Sequence, residues 1–261
     1  MGALHEGHLS LVRAARASCD AVVVSIFVNP TQFGPNEDFA LYPRTFEADC
    51  AMLAAEGVDV VFAPAPEEIY QSGAATFVEV EGLSHRLDGA SRPGHFRGVA
   101  TVVSKLFIAG EPDRAFFGQK DAAQIAVLRR MVVDLGLPVE LVACPIVREP
   151  DGLALSSRNR YLNPEERQQA LALHRSLQAV EKAIAEGERQ SEALVATARA
   201  VFDCEPAIRI DYIASVDWVT LEPVDSVGTG TLFAVAAWVG KTRLIDNLVP
   251  FPISNQIPKP T

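Results

Sequence analysis

Short β-branched apolar runs alternate with helix-like segments along the first half of this chain, and the loops that follow the runs carry glycine or proline. Few folds accept that rhythm. Ala21-Val22-Val23-Val24-Ser25-Ile26-Phe27-Val28 reads as a buried parallel strand that stops at Asn29-Pro30, because proline has no N–H to offer a ladder. Thr45 to Glu56 has helical periodicity with acids early, Gly57 closes it, and Val58 to Phe62 is the next strand. Helix Gly98 to Ala109, strand Arg114 to Phe117, helix Asp121 to Leu135 and strand Val139 to Ala143 continue the alternation. The pattern predicts an α/β fold: a mostly parallel sheet with helices on both faces.

Beyond Pro145 the rhythm changes. Asn163-Pro164-Glu165-Glu166 has the form of a helix N-cap with proline at the first helical position and acids in the first turn, opening a helix to about Glu186. A second helix follows from about Ser191, then strands near Arg209 to Ser215 and Thr231 to Val239. This predicts a smaller α+β domain over 147–249 after a first domain over 1–146, with a Pro-rich, disordered tail over 250–261. Gly240-Lys241-Thr242 is not a phosphate-binding P-loop, since Val235 stands where that motif needs glycine, and it is read as a turn.

The charge balance narrows the partners. A net charge of −10 over 261 residues disfavours broad binding to nucleic acid or to an anionic membrane, so an anionic substrate must meet a local basic patch. No apolar run is long enough to cross a bilayer as a helix. Cys19, Cys50, Cys144 and Cys204 form no Cys-x-x-Cys pair and are read as free thiols of a cytoplasmic protein.

Several segments carry candidate chemistry. Met1-Gly2-Ala3-Leu4-His5-Glu6-Gly7-His8 runs into the apolar-periodic Leu9 to Ala15, so its imidazoles and glycine sit at a helix start, where backbone N–H groups and the helix dipole favour a nucleotide phosphate. The same residues also fit a helix cap with incidental histidines. The spacing is not that of a helical zinc-protease site, since the histidines are at i and i+3 across a glycine rather than at i and i+4. Asn29-Pro30-Thr31-Gln32-Phe33 follows a strand end, either as a ligand loop or as an Asn-Pro turn. Arg92-Pro93-Gly94-His95-Phe96-Arg97-Gly98 is an anion site or a solvated basic turn. Phe117-Gly118-Gln119-Lys120-Asp121 is a strand-to-helix crossover that presents a lysine. Leu155-Ser156-Ser157-Arg158-Asn159-Arg160 offers hydroxyls and fixed positive charge to a leaving pyrophosphate.

Taken in order, and with Tyr42-Pro43-Arg44-Thr45, these segments resemble the pantothenate synthetase (pantoate–β-alanine ligase) family from Met1 to about Leu248. That family belongs to the nucleotidyltransferases that share His-Ile-Gly-His and Lys-Met-Ser-Lys-Ser type signatures with class I aminoacyl-tRNA synthetases. The resemblance implies a Rossmann-like nucleotidyltransferase domain and a two-step reaction. Pantoate and ATP give pantoyl adenylate and pyrophosphate, and β-alanine then displaces AMP.

By the same resemblance, His8 is the catalytic histidine, with His5 beside it and Lys120 and Arg158 stabilising phosphate charge. The ATP set is Met1, Gly2, Ala3, Leu4, His5, Glu6, Gly7 and His8, with Gly118, Gln119, Lys120 and Asp121, Val147 near adenine, and Leu155, Ser156, Ser157 and Arg158. Gln32 and Gln124, with Asn29, Arg92 and His95, form the pantoate and β-alanine set. Mg²⁺ is expected on the ATP phosphates with no protein metal site, and the assembly is expected to be a homodimer.

Two features depart from the family pattern. Gln119 stands where glutamate is frequent, which removes a charge and keeps a polar group. The family also has a central strand ending in Pro-Thr just ahead of the residue equivalent to Met1, so a start upstream, or an unstable product, is expected. The alternatives are another nucleotidyltransferase of this superfamily, or a truncated, catalytically silent nucleotide-binding homologue.

Overall fold

The computed structural model describes residues 1–35, 37–40 and 42–251. Packing divides the chain into two compact units. One is Met1–Gln119 with Val127–Val147, and the other is Lys120–Ala126 with Arg148–Thr261. A sequence division at 146 puts Lys120–Ala126 in the first part, whereas their packing puts them in the second. The ties are polar: Trp218 Nε1 donates to the Ala122 carbonyl and Asn247 Nδ2 to the Lys120 carbonyl, both at 3.0 Å.

In the first unit the elements run α1 (Glu6–Arg16), β1 (Val23–Ser25), α2 (Phe46–Ala55), β2 (Val60–Phe62), α3 (Pro66–Ile69), α4 (Asp88–Ser91), α5 (His95–Gly110) and β3 (Arg114–Gly118). Next come α6 (Ala122–Asp134), whose first turn belongs to the second unit, and β4 (Glu140–Cys144). The ladders are parallel, β1 with β2 and β3 with β4, with Val24 opposite Val61 and Phe116 opposite Val142. The fold is α/β as expected, but the single sheet implied by the alternation is present as two parallel pairs. Among the described residues no ladder joins the pairs. They are joined by side chains instead, because α1 packs on β3 and Phe116 packs against the cluster of Leu4, Val12, Ala15, Val22, Val24 and Leu53.

The run 21–28, expected to be buried throughout, is strand only over Val23–Ser25, and Val23 is 62% exposed. Successive strand residues face opposite ways. Val22 and Val24 point into the α1–α2 side, so only that face of the strand is covered.

The second unit holds α7 (Pro164–Ala185), α8 (Ser191–Asp203) and an antiparallel sheet in the order β5 (Ile208–Asp217), β6 (Thr231–Val239), β7 (Thr242–Leu248). Asn163 caps α7 as its sequence predicts: Asn163 Oδ1 accepts from the Glu166 N–H and Glu166 Oε2 accepts from the Asn163 N–H, each at 2.9 Å. Phe233, Val235, Ala237 and Val239 present one face of β6 to Leu173, Leu177, Val180, Leu194 and Phe202 of the two helices. Strand β7 is absent from the sequence reading, which took Gly240-Lys241-Thr242 as a turn and nothing after it as strand. The turn is real: it joins β6 to β7, with Val239 paired to Thr242. Pro250 and Phe251 are in place, the Phe251 carbonyl accepting from Gly230 N–H at 3.0 Å, and the rest of the expected tail, 252–261, lies outside the described residues.

Leu194 is fully buried between α8 and this sheet. Truncation there leaves a cavity that rigid neighbours cannot fill, so Leu194→Ala is expected to cost about 2–5 kcal/mol, read as a lower urea midpoint.

Candidate active site

The histidine loop is held from behind. His5 is the N-cap of α1 with extended backbone, and His8 reaches back so that its Nδ1 accepts from the His5 N–H at 3.3 Å. The two imidazole centroids are 4.0 Å apart. Glu6, included in the expected ATP set, turns to an exposed ion pair with Arg13.

Ahead of the helix the loop is pinned by Asp49 of α2, which is 1% exposed. Its Oδ2 accepts from the Ala3 N–H and its Oδ1 from the Leu4 N–H, both at 2.9 Å, and the Thr45 hydroxyl donates to Oδ1 at 3.0 Å. Two backbone donors on one carboxylate fix the loop where Ala3 adopts φ +49°, a conformation that non-glycine residues rarely hold without external support. Asp49 was missed in the sequence reading, which recorded only acids early in the helix. The available signal was an aspartate four residues before the core residue Leu53, hence on the apolar face of α2.

The second constellation surrounds the 3₁₀ turn Pro30–Gln32. Buried Asn29 accepts at Oδ1 from the Thr31 hydroxyl at 2.9 Å and the Tyr70 hydroxyl at 2.8 Å. Its Nδ2 donates to the Gly98 carbonyl at 3.0 Å and to Gln32 Oε1 at 3.3 Å. Helix α5 can approach this closely only because residue 98 is glycine, since a Cβ there would lie 2.3 Å from the Thr31 carbonyl oxygen. Arg92 forks onto Glu37 with contacts of 2.7 and 2.6 Å.

The remaining amino group of Arg92 lies 2.9 Å from His95 Nε2, and His95 Nδ1 lies 2.9 Å from the Gln32 carbonyl oxygen. A guanidinium only donates and a carbonyl only accepts, so the ring is neutral with its hydrogen on Nδ1. Burial first, and the Arg92 charge second, push the His95 pKa down to about 4. Burial works against ionisation of Glu37, but the hydrogen bonds and charge of Arg92 outweigh it and leave that carboxyl below its ordinary range. The structure therefore gathers Asn29, Gln32, Arg92 and His95 around one turn and adds Glu37 and Tyr70, which the sequence reading did not name. Gln124 lies in the first turn of α6, in the second unit.

The residues of the later segments that are expected to meet phosphate divide between units. Gly118 ends β3 opposite Cys144, Gln119 closes that stretch of the first unit, and Val147 is its last residue after β4. Lys120 and Asp121, in the 3₁₀ turn Gln119–Asp121, belong to the second unit with Leu155, Ser156, Ser157 and Arg158. Ser156 caps the 3₁₀ turn Ser157–Tyr161, its Oγ accepting from the Arg158 N–H at 3.2 Å. Asn159 Nδ2 donates to the Ala154 carbonyl at 3.0 Å and to Glu149 Oε1 at 2.8 Å, and Arg167 in turn binds Glu149 and Asp151 at 2.7 and 2.6 Å. All four cysteines are free thiols.

Comparison with known proteins follows the same lines. The family model described as pantoate-β-alanine ligase matches residues 1–249. A pantothenate synthetase of Acidobacterium capsulatum is 67% identical over 249 residues, which is 95% of this chain and 83% of that protein. One from Koribacter versatilis is 62% identical over 249 residues, 95% of this chain and 86% of that protein. Among solved structures, a pantothenate synthetase of Thermus thermophilus superposes with a TM-score of 0.93 at 50% identity, covering 97% of this chain and 91% of that one. A pantoate-β-alanine ligase of Francisella tularensis, complexed with β-γ ATP and β-alanine, superposes with a TM-score of 0.76 at 34% identity, covering 96% and 87%.

Two outcomes follow from the geometry. Asp49→Asn places an amide N–H against one of the loop N–H groups. It should cost about 1–3 kcal/mol and speed hydrogen exchange at Ala3 and Leu4, whereas unchanged protection would show that the carboxylate does not hold the loop. For His95, a folded pKa near 4 against an ordinary 6.5 means that the unfolded chain binds more protons between those values. Stability should therefore be full above pH about 6.5 and fall by up to about 3 kcal/mol as pH drops toward 4, a slope that His95→Gln should flatten in urea titrations.

Proposed function

This chain belongs to the pantoate–β-alanine ligase family, and from that premise we propose how its own residues carry the reaction. The activity is the ATP-dependent condensation of (R)-pantoate with β-alanine to pantothenate. A pantoate carboxylate oxygen attacks the α-phosphorus of ATP and the bond to pyrophosphate breaks. The amine of β-alanine then attacks the acyl carbon of pantoyl adenylate, loses a proton and expels AMP. A carboxylate is inert to amines at neutral pH, and the mixed anhydride supplies the leaving group. The observation that carries this reading is the match over residues 1–249, which includes both the histidine loop and the Ser156-Ser157-Arg158 segment. The readings of a silent truncated homologue and of a different transferase give way to it.

In this reading the α1 N-terminus with His5 and His8 meets the ATP phosphates, where the dipole and the imidazoles favour developing negative charge. Lys120 and Arg158 stabilise the departing pyrophosphate, Ser156 and Ser157 hydrogen-bond it, Gly118 and Asp121 hold the ribose, and Val147 lies by adenine. Gln32 and Gln124 bind pantoate, and Gln32 also neighbours β-alanine. Asn29, Arg92 and His95 serve that set through Gln32, whose amide oxygen Asn29 holds and whose carbonyl His95 holds. We place Mg²⁺ on the ATP phosphates, because it dehydrates reluctantly and prefers phosphate oxygens and water to an all-protein cage. Among the described residues no cluster of three or more His, Cys, Asp or Glu is arranged to hold an ion. We assign nucleotide and pantoate binding mainly to 1–146 and a lid role to 147–249, in a cytoplasmic homodimer. Among the described residues no helix is long and apolar enough to cross a membrane.

The test is exchange of labelled pyrophosphate into ATP without β-alanine. Exchange should require pantoate, and His8→Ala should lower it by about 10²–10³-fold in a folded protein. Exchange that ignores pantoate, or an undiminished His8→Ala variant, would overturn the assignment.

A further inference from the structure

Strand β7 carries a polar dipeptide, Asp246-Asn247, at a place where burial is nearly complete, the two residues being 3% and 4% exposed. Adjacent strand residues face opposite ways, so these side chains serve different neighbours, and a buried polar group persists only where partners answer it. Their register is set by the ladder, with Asp246 opposite Val235 and Asn247 opposite Ala234 of β6. Asp246 takes both arms of the Arg148 guanidinium at 2.6 and 3.0 Å. Asn247 Nδ2 donates to the main-chain carbonyl of Lys120 at 3.0 Å.

Each contact leads to one of the cations assigned to pyrophosphate. On the Asn247 side, a second tie falls just after the turn bearing Lys120, where Trp218 Nε1 donates to the carbonyl of Ala122, the first residue of α6. On the Asp246 side, Arg148 also donates to the Gly152 carbonyl at 3.1 Å and bridges to Ala154 through the main chain. That closes the 148–154 loop, to which Asn159 in the middle of the Ser157–Tyr161 turn is tied through Glu149 and Ala154. All of these residues lie in the second unit. Nothing in the reaction requires polar groups inside β7, and the covalent path from Lys120 to Arg158 is too long to set their separation.

We infer that Asp246 and Asn247 are positioning residues that fix Lys120 and the Arg158 segment at one separation, making β7 the gauge of the pyrophosphate site. The inference rests on the ligase reading. Misplacement of a reacting group by about 1 Å can cost up to about 10²-fold, so the effect should be large in the half-reaction that handles pyrophosphate. It should be small in the half-reaction that does not.

Asn247→Leu removes the donor at similar size. Pantoate-dependent pyrophosphate exchange should fall about 10- to 100-fold, while β-alanine aminolysis of supplied pantoyl adenylate stays within about twofold. In a Lys120→Ala background, Asn247→Leu should lower exchange no further, because a residue that acts through Lys120 has nothing left to act on. Exchange within twofold of the unaltered chain, loss of both half-reactions in proportion, or additivity with Lys120→Ala would overturn the inference. If Asn247→Leu does not fold, Trp218→Phe deletes only the second tie and must show the same selective loss at smaller size. Absence of pantoate-dependent exchange in the unaltered chain would instead overturn the ligase reading, and this inference with it.

Discussion

A buried carboxylate that meets two backbone N–H groups and one hydroxyl determines where the histidine loop of this protein can lie. Asp49 sits in α2 facing the core beside Leu53, a position that is costly for a charge unless strong donors surround it. The donors come from Ala3 and Leu4, so satisfying the carboxylate and shaping the loop are one event. The rest of the first unit is arranged around that event. Val22 and Val24 pack with Leu4, Val12 and Leu53 into the same cluster.

The same logic recurs wherever a functional loop leaves an element. Asn29 holds the Gln32 turn against α5, with Gly98 permitting the contact and Arg92 with His95 closing it from the other side. Glu149 and Asn159 hold the Arg158 turn. Each loop is held by side-chain hydrogen bonds to main chain. Such bonds specify position in a way that a hydrophobic contact, being non-directional, does not. That suits a reaction in which the protein contributes alignment and electrostatics around an ATP that carries the chemical driving force.

Much of this was legible along the chain. Helices α2, α5, α6, α7 and α8 and strands β2 to β6 lie within a few residues of where periodicity places them, and the Asn163 cap is as its sequence implies. Legibility failed for β7, where Thr242 to Leu248 holds an arginine, an aspartate and an asparagine that break the apolar alternation expected of a buried strand. Those polar residues are tolerated only because Asp211, Arg148 and the Lys120 carbonyl, all remote in sequence, answer them. Asp49 and Glu37 were overlooked for the same reason, since an acid in a helix or loop has no special meaning until its donor is known.

By itself, the sequence determined the α/β class, the order of most of the elements and the family, because these depend on periodicity, turn chemistry and motifs contiguous along the chain. Tertiary structure alone decided that the parallel strands form two pairs, that Lys120–Ala126 pack with the second unit, and which side chains hold the loops. Those outcomes depend on hydrogen bonds between groups tens of residues apart, where pairing is a matter of distance and direction in space and leaves no local pattern to read.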